Sequence, residues 1–184
     1  MPLDDAVLTP HQRRTLLDLA RTSIASAITG GRPIARETDL ELPEASGVFV
    51  TIKRHRQLRG CLGTLQLRTD LATEVARCAV DSAREDPRFP PVTVAELPDI
   101  DLEISVLGPL ESIPASPDAF MIGTHGLVVE QGARRGLLLP QVAVEWGWTP
   151  EQFLAQTCVK AGLPPEAWRD GATLYRFAAE VFGD

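Results

Sequence analysis

An α+β fold, with a mostly antiparallel sheet and helices packed against it, is what this sequence predicts, and three observations carry the expectation. Stretches whose apolar residues recur at helical spacing are interleaved with stretches of period two. The period-two stretches come as hairpin pairs rather than in strict strand-helix-strand succession, which favours antiparallel pairing. Turn signals built from Gly, Pro and Asp separate them.

Thr9-Pro10-His11-Gln12 has the form of a capping box with proline at the first helical position, and Gly30-Gly31 supplies a stop. Between them Leu16, Leu17, Ala20, Ile24, Ala27 and Ile28 make an apolar stripe, with Arg14, Asp18 and Arg21 on another face. Residues 31–46 lack periodicity and are rich in proline and acidic groups, as a connecting loop is. In 47–53 Val48, Val50 and Ile52 alternate with Phe49, Thr51 and Lys53, and after a polar stretch at 54–57 a second extended run reaches Gln66, so this part reads as a hairpin.

Asp70 can cap a second helix to about Glu85, with Leu71, Val75, Cys78 and Ala79 inward and Glu74, Arg77, Asp81 and Arg84 outward. Asp86-Pro87-Arg88-Phe89-Pro90-Pro91 cannot continue that helix, because proline lacks a donor and disfavours the α region in the residue before it. In 100–107 Ile100, Leu102, Ile104 and Val106 alternate with Asp101, Glu103 and Ser105, which predicts a strand with one polar face. Residues 126–131 and 136–139 flank a turn at 132–135, and a short helix follows from Pro140 to about Trp146. A second capping box, Thr149-Pro150-Glu151-Gln152, opens a helix that Gly162 closes, with Phe153, Leu154 and Cys158 on one face. Residues 173–182 alternate again and form the last strand.

The 184 residues suit one domain, taken as 5–184, and 44% apolar content can build a core without disulfides or metal. Three cysteines, Cys61, Cys78 and Cys158, show no Cys-x-x-Cys spacing, so neither a zinc site nor any other metal or cofactor is indicated, and a reducing, cytoplasmic setting is expected. No basic-then-apolar leader and no run of about 18 apolar residues points to export or to a membrane. The net charge of −7 opposes nucleic-acid binding, although Lys53-Arg54-His55-Arg56 with Arg59 is a local basic cluster.

With Cys78 and Cys158 on helical core stripes, chemistry is sought at Cys61 in Leu58-Arg59-Gly60-Cys61-Leu62-Gly63. Strand alternation sends Leu58 and Leu62 one way and Arg59 and Cys61 the other, placing a guanidinium beside a thiol. Gly60 and Gly63 permit a bulge or close approach, and the surrounding cations favour the thiolate form. Cys61 is thus a candidate nucleophile, or else a small residue packed in a bulged strand. His125, in Gly123-Thr124-His125-Gly126, is the candidate base, with a polar turn residue as the plainer reading. Arg59, Gly60, Gly63, Glu103 and Gln141 are candidate substrate-binding positions.

The hexapeptide 58–63 resembles the hallmark of the AMMECR family, also described as protein A of the AmmeMemoRadiSam system, with Leu62 where isoleucine is more usual. Asp86-Pro87-Arg88-Phe89, Leu102-Glu103-Ile104-Ser105-Val106-Leu107, Ile122-Gly123-Thr124-His125-Gly126-Leu127 and Leu137-Leu138-Leu139-Pro140-Gln141-Val142-Ala143 resemble further blocks in the family's order. The resemblance implies an α+β fold with a main and a smaller lobe, a groove associated with the hexapeptide, and Memo-like and radical-SAM proteins as partners. It implies no reaction. Three functions follow as expectations: an enzyme or enzyme subunit acting on an unknown small molecule or a modified residue through Cys61; a non-catalytic partner module; and, last, a nucleic-acid binder.

Overall fold

The computed structural model describes residues 8–32 and 40–184; the amino-terminal edge of the expected domain and residues 33–39 of the expected loop lie outside the described residues. The fold is α+β, and the chain forms two compact units, Met1–Leu107 with Glu180–Asp184, and Gly108–Ala179.

The first unit is built on helix α1 (Pro10–Ile28), strands β1 (Gly47–Arg54) and β2 (Gln57–Thr64), helix α2 (Leu71–Arg84) and strand β3 (Ile100–Leu107). The capping box of α1 forms as expected: the Gln12 amide donates to Thr9 Oγ1 at 3.2 Å and the Thr9 amide to Gln12 Oε1 at 2.7 Å. The three strands run in the order β2-β1-β3, each pair antiparallel. Period-two alternation puts Val48, Val50, Ile52, Leu102 and Ile104 on one face, where they share a core with Leu16, Ala20 and Ile24 of α1 and Val75, Cys78 and Ala79 of α2. Burying a leucine-sized side chain in such a core stabilises the fold by roughly 2 kcal/mol.

Two expectations fail here, the first for an identifiable reason. Glu74, placed on the wet face by periodicity, is buried, because its carboxylate accepts the Arg68 amide at 3.1 Å and the Thr69 hydroxyl at 3.2 Å and pairs with Arg77. Ser105, expected on a polar face, is also buried. Thr93 and Glu96 form a further capping box on a short 3-10 helix, Val94–Asp99, that the periodicity reading passed over.

The second unit contains β4 (Glu111–Ile113), β5 (His125–Gln131), β6 (Arg134–Leu138), α3 (Pro140–Trp146), α4 (Pro150–Lys160) and the first part of β7 (Thr173–Gly183). The strand order is β6-β5-β7-β4, again antiparallel. The turn expected at 132–135 is tighter than that, since β6 already begins at Arg134 and Gly132, at φ 61°, makes the reversal. Phe153, Leu154 and Cys158 of α4 pack with Leu127, Val129 and Leu174. The end of α4 lies so close to β6 that a Cβ on Gly136 would sit 2.4 Å from the Ala161 nitrogen.

Candidate functional site

The segment 58–63 forms most of β2, and its conformation follows from what presses on it. Gly60 lies in the β2 face turned toward α2, where an added Cβ would stand 2.2 Å from the Ser82 carbonyl oxygen. A helix backbone cannot yield by that amount, so this position accepts only glycine. Ser82, itself buried, reaches into the strand pair: the Leu62 amide donates to its hydroxyl at 2.8 Å, and that hydroxyl lies 2.7 Å from the Val50 carbonyl. At Gly63 an added Cβ would meet the Phe49 ring at 2.5 Å and the Val48 carbonyl at 2.3 Å.

Alternation does not run unbroken through the segment. The register pairs Ile52 with Gly60 but Lys53 with Leu58, so Arg59 is the extra residue of a bulge. The bulge turns Leu58 outward, where it is exposed, instead of toward the core face shared by Leu62. It also aims Arg59 at Glu96. Nε donates to Oε1 at 2.8 Å and Nη2 to Oε2 at 3.1 Å, while Nη1 donates to the Pro90 carbonyl at 2.8 Å. This two-point pair, together with the amide and hydroxyl of Thr93, holds the Glu96 carboxyl down to about 2. The fork of Arg59 is therefore engaged inside the protein.

Cys61 has its backbone fixed and its side chain on the face away from the helices. Asp86, buried, accepts the Cys61 amide at 2.9 Å, and Arg88 Nη2 donates to the Cys61 carbonyl at 3.3 Å. Arg88 also binds the same carboxylate through Nε at 3.0 Å and Nη2 at 2.8 Å. The Arg88 hydrogen bonds, with those of the Cys61 and Arg88 amides, hold the Asp86 carboxyl far below the usual range. The Cys61 thiol is half-buried and accepts the Thr51 hydroxyl at 3.2 Å.

Thr51 is the register partner of Cys61 on one side and of Glu103 on the other, so the three side chains form one row across β2, β1 and β3. Lys53 closes the row by donating to Glu103 at 2.8 Å, and Phe49 covers the neighbouring Gly63. The basic cluster seen in the sequence is thereby largely neutralised: Lys53 pairs with Glu103, Arg54 with Glu96 and Asp99, and Arg59 with Glu96. The other cysteines are sealed. Burial pushes the Cys78 thiol up to about 11 and raises Cys158 as well.

His125 opens β5 in the second unit, and its Nδ1 accepts the Met121 amide at 2.9 Å. Nδ1 is thus the unprotonated nitrogen, and its lone pair serves the turn. Gln141 lies half-buried in the first turn of α3, and Glu145 is exposed at the far end of the same helix. Sequence reading missed Thr51, Ser82 and Asp86, all of which touch the segment 58–63. Among the described residues no three His, Cys, Asp or Glu side chains group closely enough to hold a metal ion. No helix among them is long and apolar enough to cross a membrane.

A protein of Methanothermobacter thermautotrophicus is 44% identical to this chain, covering 96% of each. One from Thermococcus gammatolerans is 48% identical over 91% of this chain and 87% of its own. The crystal structure of an uncharacterised protein from Pyrococcus horikoshii matches with a TM-score of 0.88 at 42% identity, covering 96% of this chain and 93% of that one. The AMMECR1 family model matches residues 17–182, which contain both the 58–63 segment and the Asp86, Arg88 and Glu96 side chains that hold it, and the chain belongs to the AMMECR1 family.

Proposed function

We propose that this chain is an enzyme, or the subunit of one, that uses the Cys61 thiol in small-molecule or protein-modification chemistry. The observation that supports this reading is the contrast among three thiols. Cys78 and Cys158 are buried, whereas Cys61 is only partly buried, with its sulfur positioned by Thr51 in a polar row that ends in Glu103 and Lys53. A rigid, accessible thiol flanked by polar groups suits covalent attack: sulfur bonds to an electrophilic centre, the thiol proton passes to a base, and a leaving group departs. Within the first unit, Glu103 and the backbone at Gly60 and Gly63 are the substrate contacts we assign. Arg59, bound to Glu96, positions the strand rather than contacting substrate.

Alkylation by iodoacetamide, resolved residue by residue by mass spectrometry, tests the assignment. The reading expects Cys61 to react at neutral pH far faster than Cys78 and Cys158, which stay protected in the folded protein. Reaction of Cys61 no faster than that of the two buried thiols would remove it.

A second reading is favoured by a separate observation. Asp86 and Arg88 bind the Cys61 backbone, Glu96 binds Arg59, and Gly60 and Gly63 make room for α2 and Phe49, so packing alone accounts for most of the segment. In that case the chain is a non-catalytic module, with Memo-like and radical-SAM proteins as the proposed partners, and Cys61→Ser would leave its function intact. The ion pairing of Lys53, Arg54 and Arg59 weighs against nucleic acid. A cytoplasmic location is part of the proposal.

A further inference from the structure

A line of aromatic rings runs from the core of the second unit to its surface. Phe120 meets Phe153 edge to face at 5.9 Å, Phe153 lies 6.5 Å from Trp148, and Trp148 stacks on Trp146 at 6.0 Å with planes 16° apart. Phe153 is fully buried and Trp146 is 70% exposed, so the stack passes from a rigid base into solvent. The geometry depends on Gly147, whose φ of 63° ends α3 with a left-handed residue and folds the chain so that side chains two apart can stack.

One face of the Trp146 ring is used by Trp148. No Lys or Arg of the described residues covers Trp146, whereas Trp168 carries Arg169 4.4 Å from its ring centroid. The charges of the segment that carries the indole are of one sign. Residues 136–159 contain no lysine or arginine, while Glu145, beside Trp146, and Glu151, in the first turn of α4, are both exposed and in no ion pair among the described residues.

From the aromatic platform and its acidic surroundings we infer that Trp146 is a docking site for a partner protein's segment that presents a lysine or arginine beside an aliphatic side chain. The cation lies on the open indole face, where the ring quadrupole attracts it, and its charge answers Glu145 and Glu151. The aliphatic neighbour covers the rest of the ring, in the manner of the tryptophans that anchor interfaces. A second copy of this chain fits poorly, since it would set the same carboxylates against each other. An anionic membrane fits poorly for the same reason, with a net charge of −7 adding to the repulsion. The inference is independent of Cys61, and its failure leaves the proposed thiol chemistry untouched.

The test is calorimetric titration of the full chain with a short amphipathic Leu/Lys peptide, with a Leu/Glu peptide of the same length as control. The Leu/Lys peptide binds and the Leu/Glu peptide binds more weakly by on the order of tenfold or more, as charge complementarity requires. Trp146→Ala weakens binding by on the order of tenfold while lowering the melting temperature by no more than about 4 °C, the scale of one lost ring stack. Reversing both charges, Glu145→Lys with Glu151→Lys, inverts the preference between the peptides. Equal binding of both peptides, no binding, or indifference to Trp146→Ala overturns the proposal. So does flotation with phosphatidylcholine or phosphatidylserine vesicles that depends on Trp146, or a dimer in sedimentation that Trp146→Ala dissolves.

Discussion

Asp86 accepts the Cys61 backbone amide at 2.9 Å, and in doing so takes the place that a further strand would occupy beside β2. Arg88 completes the imitation by donating to the Cys61 carbonyl, so at Cys61 the backbone of edge strand β2 is satisfied by side chains where an open edge would invite pairing with another chain. The same carboxylate is bound by Arg88, which makes Asp86 the joint between the turn after α2 and the strand that carries the thiol.

Asp86→Asn keeps the shape of this joint and removes its charge. The amide group must turn an N–H toward either the Cys61 amide or the Arg88 guanidinium, and both of those are donors. A loss of roughly 2 kcal/mol or more is expected in urea denaturation, the scale of a buried charged hydrogen bond left unmet. Faster alkylation of Cys61 should accompany it as the edge of β2 loosens. Stability within about 0.5 kcal/mol of the parent, the range of an ordinary surface substitution, would show that the joint is dispensable.

Acid lability should trace to the same neighbourhood. Glu96 titrates at about 2 in the folded protein against an ordinary 4.5, and Asp86 is depressed further still from its own ordinary value. A depressed folded value means that the charged form stabilises the fold: the contribution is complete above the unfolded pKa and is lost as pH falls through the folded one. Thermal melts should therefore decline from about pH 5 toward pH 2, following these carboxylates. In Glu96→Gln the melting temperature is lower at neutral pH, because Arg59 loses its charged partner, and the decline is shallower. An acid limb of unchanged slope in that variant would refute the assignment.

Each glycine of the segment faces a backbone carbonyl, so alanine at either position should be costly. Gly60→Ala drives a Cβ into the Ser82 carbonyl, a backbone atom that moves only if α2 shifts, so the loss should reach about 3 kcal/mol, beyond ordinary overpacking. Gly63→Ala meets the Phe49 ring and also the Val48 carbonyl, and only the first of these can swing aside. If Gly60→Ala stayed within about 0.5 kcal/mol of the parent in denaturant melts, the close approach of α2 would not be what demands glycine at position 60.

How far the sequence discloses all this depends on the range of each interaction. Local rules succeed where the partner is three or four residues away: Thr9 with Gln12 and Thr149 with Gln152 form the capping boxes their spacing announces. Cys78 and Cys158 are core thiols because helical period alone decides their direction. Glu74 escapes that rule because the loop at Arg68 and Thr69 folds back over it, and no period encodes a returning loop. Strand parity misplaces Leu58 because one inserted residue, Arg59, reverses every direction beyond it. The glycines of 58–63 mark the segment as special, but Ser82, Asp86 and Glu96 reach it from 20 to 37 positions away. Only the three-dimensional structure brings those residues to it. Three-residue β4 is too short to show a period at all.

The hairpin tip joining β1 to β2 supplies the last prediction. Arg54 pairs with Gln57, leaving a two-residue turn in which His55 and Arg56 both have positive φ, 52° and 65°. That geometry matches the twist of the strands and favours Asn followed by Gly, whereas a Cβ at both positions is strained. His55→Asn with Arg56→Gly should relieve about 1 kcal/mol, which for a chain of this size raises the melting temperature by about 2–4 °C. Cys61 alkylation should stay unchanged, because β2 is anchored at Cys61 by Asp86 and Arg88 and not by the tip. A lower melting temperature would mean that the His55 and Arg56 side chains make contacts worth more than the strain they impose. A changed alkylation rate would mean that the tip and the thiol are coupled along the strand.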